Sequence, residues 1–327
     1  MFKNINCKNL PSLRRNIVYQ FLYELLIVFI PLFTIPYVSR VLGAENIGLF
    51  SYTYAVANYF VLFANLGIKN YGSRTIAMVR NNKEELNRNF SEILSIHIIF
   101  SIIVIFVYLV LLFFFVEDNL VIFLIQSIYV FAAVFDINWF FFGIEKFKLT
   151  VGRNTLVKIL SVFLVLVFVK TQTDLWIYAL ILALSVFVGQ SVVWFALKQY
   201  VSWRRPSWAN MKQHIRPLFV LFLPILALSL YKYMDKIMLG SISSNVQVGF
   251  YENAEKIINV PMSLIMAFGV VLMPRIANMV TSKDKGEVFK LIDMSMEAVM
   301  LLAIAISFGL AGISFVLAPI FFGYEFE

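Results

Sequence analysis

Six charged residues fall at helical spacing inside two apolar stretches of this chain: Lys232, Asp235 and Lys236 in one, Glu252, Glu255 and Lys256 in the other. Each set follows i, i+3, i+4, so each forms a mixed-charge stripe on one helical face. Lys and Arg in a dry cavity hold an anion, Lys as a point charge and Arg as a fork. A carboxylate there takes up a proton or a sodium ion, although neighbouring cations favour the ionised form and oppose protonation. Lys232, Lys236, Lys256 and Arg40 are therefore candidates for anion binding, and Asp235, Glu252 and Glu255 for ion coupling. A plainer reading has the six stripe residues cancel one another and only lock two helices together. Glu24 and Asp136 each stand alone in an apolar segment. There a relay role and a local partner explain a carboxylate equally well.

The elements that carry these residues are set by the solvent around them. The 327 residues are 61% hydrophobic and 14% charged, with mean hydropathy +0.84, which is too apolar for a water-soluble domain. About 20 apolar residues make one crossing of a bilayer. On that basis the sequence predicts nine transmembrane helices, over 16–38, 47–66, 93–115, 120–142, 155–169, 175–197, 217–240, 247–273 and 294–320. The first run is too long for the core of a cleavable signal and contains Pro31 and Pro36 where small residues would be needed. Pro224 and Pro261 interrupt later spans, and all four prolines favour kinks. The run Trp139-Phe140-Phe141-Phe142 at a helix end reads as an interfacial anchor.

Lys and Arg residues sort onto one side of this arrangement. The N-terminal tail and the alternate connections after it hold 21 of the 27, among them Arg74, Lys146, Arg153, Arg204 and Arg275. The opposite connections hold Arg40 and Lys170. This bias predicts a cytoplasmic N-terminus. Arg153 and Lys158 read as a boundary pair attracted to anionic lipid. Basic residues distributed over short connections do not make the single water-exposed face that nucleic-acid binding needs.

The chain also repeats itself. At an offset of 201, Ile47-Gly48-Leu49-Phe50 aligns with Val248-Gly249-Phe250-Tyr251, Arg74 with Arg275, Met78 with Met279 and Glu92 with Asp293. Pro31 and Pro224 match at a nearby offset. Six crossings separate the copies, so both run in the same direction and the repeat is parallel. The predicted division is a tail over 1–15, a six-helix lobe over 16–198, a basic linker over 199–216 and a three-helix portion of a second lobe over 217–327.

The segments Ile35-Pro36-Tyr37-Val38-Ser39-Arg40-Val41-Leu42-Gly43, Ile47-Gly48-Leu49-Phe50-Ser51-Tyr52 and Leu66-Gly67-Ile68 with Tyr71-Gly72 carry a family resemblance. So do Asp235-Lys236-Ile237-Met238-Leu239-Gly240, Val248-Gly249-Phe250-Tyr251 and Met273-Pro274-Arg275. Over nearly its whole length the chain resembles the oligosaccharide flippases of the polysaccharide-biosynthesis type, within the multidrug/oligosaccharidyl-lipid/polysaccharide transporter superfamily. Members usually carry two full lobes around a central cavity, where this sequence shows one and a half. The resemblance implies a bacterial inner-membrane protein that moves an undecaprenyl-pyrophosphate-linked repeat unit to the outer leaflet by alternating access. It would have that lipid-linked oligosaccharide, membrane lipids and other glycan-assembly membrane proteins as partners. The pyrophosphate would sit on the cationic residues named above.

Two other functions stay open: a drug or cation exporter of the same superfamily, and a non-transporting subunit of a glycan-assembly complex. Near parity of charge in the stripes speaks against the exporter. His97 and His214 are too far apart for a metal motif, and no Gly-rich loop ending in Gly-Lys-Ser/Thr occurs. No metal, cofactor or enzymatic activity is expected. The single cysteine, Cys7, rules out an intrachain disulfide.

Overall fold

In a computed structural model, the backbone of residues 10–281 and 285–326 is described, with side chains from Thr34 onward apart from some among 147–148 and 264–287. Ten α-helices follow one another: α1 Leu10–Asn65, α2 Ile68–Val79, α3 Lys83–Phe115, α4 Leu120–Val134, α5 Asn138–Gly143, α6 Phe147–Phe168, α7 Leu175–Leu197, α8 Trp208–Ile242, α9 Asn245–Thr281 and α10 Lys285–Phe322. The architecture is that of an all-α polytopic membrane protein. Among the described residues seven helices are long and apolar enough to cross a bilayer. The chain before Thr34 and α9 are not among the seven, and both contain residues outside the described set.

The side chains identify the solvent. Phe113 on α3 and Phe315 on α10 are 85% and 86% exposed, in rows of other exposed apolar residues. Such faces are stable only against hydrocarbon, which also forces every spanning segment to be helical. Breaks occur where residue type allows them. Gly43 (φ 77°) divides α1 into two arms, while Pro36 stays in helical backbone. The carboxylate of Glu325 accepts from the Ala44 N–H at 3.2 Å, satisfying a free donor at the start of the second arm. Leu66 and Gly67, both at positive φ, end that arm. Asn82 caps α3 by accepting from the amides of Glu84 and Glu85.

Several helices begin earlier than hydropathy predicts: α3 at 83 instead of 93, α6 at 147 instead of 155, α8 at 208 instead of 217. In each case the added turns lie at the end of the bundle where basic residues collect. The predicted fourth span is also interrupted, with α4 closing at Val134 and α5 opening at Asn138.

The aromatic run does not anchor an interface. Trp139, Phe140 and Phe141 are all buried, in a cluster that includes Ile76, Phe90, Leu218 and Phe222. Trp139 stacks on Phe90, with ring centroids 5.6 Å apart. The small α2 covers this cluster, and a Cβ on its Gly72 would come within 2.6 Å of the Trp139 ring.

Where α1 crosses α9, segments aligned at the offset of 201 meet. A Cβ on Gly48 would lie 1.6 Å from the Asn245 carbonyl oxygen, and one on Gly249 would lie 2.0 Å from the Ala44 carbonyl oxygen. Adding 201 turns Ala44 into Asn245 and Gly48 into Gly249, so each contact is the image of the other. A second pair obeys the same rule. Ser39 accepts from Asn253 at 3.0 Å, and their counterparts Gly240 and Tyr52 also touch, a Cβ on the glycine falling 2.4 Å from the tyrosine ring. Reciprocal contact of this kind defines a pseudo-two-fold axis, as in a symmetric dimer interface.

Candidate functional site

The two stripes meet. Lys236 on α8 reaches across to α9, its Nζ 2.5 Å from Glu252 Oε2 and 2.8 Å from Glu255 Oε2. Lys256 closes on the other oxygen of Glu252 at 3.2 Å. Lys236 sits six residues before the end of α8 and Glu252 seven after the start of α9. At ~1.5 Å per residue, the pairing level lies roughly 10 Å below the helix ends. The side chains are mostly buried, Lys236 and Glu252 exposing 12% and 15%. Here the positive and negative charges largely satisfy each other, which offsets their removal from water.

The remaining predicted residues surround this knot. Asp235 is exposed and accepts a hydrogen bond from the Tyr251 hydroxyl at 2.5 Å. Lys232 is exposed and lies over the Tyr233 ring, 5.4 Å from its centroid. Arg40 is not brought to the stripes. Its guanidinium donates to the Ile320 carbonyl near the end of α10, where cations complement unsatisfied carbonyls. Lys256 also borders a small space of about 70 Å³ with Thr34, Ser39 and Tyr178, so it faces the first repeat unit. The Glu24 side chain lies outside the described residues.

Asp136 occupies the break between α4 and α5. Its Oδ1 accepts from the Asn138 amide at 3.0 Å and from the Asn138 side chain at 2.7 Å, which holds the break together. Asn138 in turn donates to Gln190 Oε1 at 2.9 Å and accepts from Arg153 at 3.1 Å. The isolated carboxylate of the sequence thus has a local network that ties α4, α5, α6 and α7 together.

That network borders an open cavity of about 430 Å³ lined by residues of α1, α4, α6 and α7. Arg153 and Lys158 both line it, with Tyr54, Tyr129, Asn154 and Gln190. Tyr54 and Tyr129 meet edge to face at 5.1 Å. The expectation of a lipid-facing boundary pair therefore fails, because α6 starts at Phe147 and carries both residues inward. The signal available in the sequence was Lys158 itself, a lone cation in an apolar run.

A second polar cluster joins the two units at the basic end. His214 on α8 pairs with Glu92 on α3 at 3.0 Å and with the Tyr71 hydroxyl on α2 at 2.6 Å. Asn210 donates to the other Glu92 oxygen at 3.1 Å. The linker is fastened nearby, the Ser202 and Arg204 amides donating to Asn87 and Ser91, each at 3.0 Å. Nothing in the spacing of Glu92 and His214 marks them as partners. Among the described residues there is no group of three or more His, Cys, Asp and Glu placed to hold a metal.

Comparison with known proteins agrees with this architecture. An Escherichia coli (strain K12) protein named "Putative O-antigen transporter" is 27% identical over 285 residues, covering 85% of this chain and 68% of the relative. A Shigella dysenteriae protein of the same name is 24% identical over 281 residues, covering 82% and 68%. No solved structure shows significant similarity. Residues 13–280 match the family described as polysaccharide biosynthesis protein, and with most of its length inside that match the chain belongs to this family of multi-pass membrane proteins.

Proposed function

We propose that the chain is a flippase that carries an undecaprenyl-pyrophosphate-linked oligosaccharide repeat unit from the cytoplasmic to the outer leaflet of a bacterial inner membrane. The observation that carries this reading is the reciprocal crossing at Gly48 and Gly249, where two parallel repeat units pack backbone to backbone beside cavities lined by cations. Such a crossing is a pivot about which the units rock, exposing the cavity first to one face and then to the other. The basic end would face the cytoplasm, following the distribution of Lys and Arg. The work is transport without catalysis, and the names of the two relatives point the same way.

Within the stripes the geometry supports a division of labour. Glu252 pairs with both Lys236 and Lys256, and Glu255 pairs with Lys236, so these carboxylates are engaged within the protein. Asp235 is held by a neutral hydroxyl and is the better candidate for ion coupling. Lys256 is the stripe cation placed to reach a substrate in the first unit.

The test is expression in cells lacking their own O-unit flippase, with membrane levels matched. Return of surface glycan, with depletion of lipid-linked units from the cytoplasmic leaflet, is the expected result. A stably inserted chain that restores neither would overturn the proposal.

A further inference from the structure

We infer that Glu92, His214, Tyr71 and Asn210 form a releasable latch between the two repeat units, which holds the basic end shut and sets how often it opens. Tyr71 and Glu92 lie on α2 and α3 of the first unit, whereas Asn210 and His214 lie in the first turns of α8. His214 and Glu92 are 3% and 1% exposed, so water scarcely screens the pair. One Glu92 oxygen meets Nε2 of His214 at 3.0 Å and the other accepts from Asn210 at 3.1 Å, while Nδ1 of His214 meets the Tyr71 hydroxyl at 2.6 Å. A ring that donates from Nε2 and accepts at Nδ1 satisfies all three contacts.

The lever arm sets what these contacts can survive. Asn65, at the basic end of the second arm of α1, lies 17 residues beyond the crossing at Gly48. That is about 25 Å at ~1.5 Å per residue. A rotation of about 15° at the crossing, the size that subunits make about an interface, displaces the basic ends by roughly 6 Å. Hydrogen bonds near 3 Å do not stretch so far, so the latch is either whole or parted. Leu218 and Phe222 of α8 also pack against Gly67, but apolar helix faces gain little from each other over lipid tails. The polar pair is what separates a closed basic end from an open one. Hydration regained on parting offsets the lost pairing, which lets an intact pair part within a working cycle. Removing one partner strands the other in the closed form alone and moves the balance toward the open form.

The linker supplies the hinge. Its Ser202 and Arg204 amides are fixed to Asn87 and Ser91, within two turns of Glu92 on α3. Arg205-Pro206-Ser207, between that anchor and the start of α8 at Trp208, is non-helical. The start of α8 can therefore swing while the linker stays on the first unit.

The inference rests on the rocking motion of the transport reading, and the experiment keeps the two apart. In the full chain, with Cys7→Ser removing the native thiol, spin labels are attached through Met78→Cys on α2 and Lys212→Cys on α8, both exposed positions. Their separation is measured by double electron–electron resonance in phosphatidylcholine nanodiscs. Glu92→Gln and His214→Ala should each raise the longer-distance fraction at least about threefold. His214→Gln, which keeps a donor toward Glu92, should stay nearer wild type. Tyr71→Phe removes a single oxygen and should give a smaller rise, so it carries the test if Glu92→Gln fails to insert. Distances unchanged in Glu92→Gln, His214→Ala and Tyr71→Phe, even with a lower Tm, would overturn the latch and leave a structural pair. If the distances shift as expected but glycan export does not return in flippase-deficient cells, the latch stands and the transport reading falls. If export returns and the distances stay fixed, the transport reading stands and the latch falls.

Discussion

The α8–α9 stripes and the α6 cavity both place cations within long apolar helices and surround them differently. In the stripes every buried cation faces a carboxylate, with Lys236 between Glu252 and Glu255 and Lys256 on Glu252. In the cavity Lys158 faces aromatic rings and amides. Charge balance, more than the presence of charge, separates a lock from a site. A paired stripe resists change and fixes two helices, while a cation without that balance is costlier to hold in an apolar helix. Activity is commonly sustained at such a cost in stability.

Breaking the close crossing of α1 and α9 should have the largest effect. Gly48→Leu forces a side chain into the backbone of α9, where a carbonyl oxygen already stands 1.6 Å from the added Cβ. Neither helix can yield by a rotamer change, so the loss should exceed the ~1–3 kcal/mol of ordinary overpacking. Little monodisperse protein should survive detergent extraction, as read by size-exclusion profile. A well-behaved Gly48→Leu protein would mean that α1 and α9 do not cross there.

Next comes the lock. Glu252→Gln removes the carboxylate that Lys236 and Lys256 share, stranding positive charge in a mostly buried setting. Removing one partner of a fully buried pair costs ~3–5 kcal/mol, and the residual exposure here brings the expectation to about 2 kcal/mol. Thermal unfolding in detergent should show a clear drop in Tm. Exchanging the partners, Lys236→Glu with Glu252→Lys, should recover part of it. Recovery would demonstrate a direct pair and not two independent losses.

How far these regions could be read from sequence follows from the range of the physics involved. The stripes were visible because i, i+3, i+4 spacing is local, and the repeat because Gly48 and Gly249 sit in matching segments. The partners were not visible. Which oxygen Lys236 would choose, or that Glu92 would find His214, depends on contacts over a hundred residues apart in the second case. Lys158 escapes the sequence for a different reason. Hydropathy marks where a helix enters hydrocarbon, not where it begins, so the polar turns of α6 before residue 155 read as connection. The burial of Trp139 is hidden likewise, because the cover supplied by α2 is tertiary.

The cavity should answer oppositely to the lock. Lys158→Gln removes a charge within α6 that, among the described residues, has no carboxylate at ion-pair distance, so the ligand-free protein should gain about 1 kcal/mol or stay unchanged, while glycan export falls. The pair of signs is the useful outcome, measured as Tm in detergent and as export in cells. A Tm that falls as far as that of Glu252→Gln would mean Lys158 is a structural cation after all, and the contrast between the two regions would collapse.

An exposed pair calibrates both. Arg204 in the linker meets Glu84 at 2.9 Å, with the two side chains 51% and 74% exposed. Water screens such a pair and its ordering costs side-chain entropy, so Glu84→Gln should change stability by no more than about 0.5 kcal/mol. The linker has other anchors, the Ser202 and Arg204 amides on Asn87 and Ser91, and these are part-buried. Ser91→Ala should therefore cost more than Glu84→Gln, since it leaves the Arg204 amide without its acceptor. Unfolding at low and high salt distinguishes the contributions, because only the Glu84 effect should shrink as salt rises. If Glu84→Gln costs as much as Glu252→Gln, burial is not what sets the strength of these pairs, and the difference between stripe and cavity would have to be explained by something other than charge removed from water.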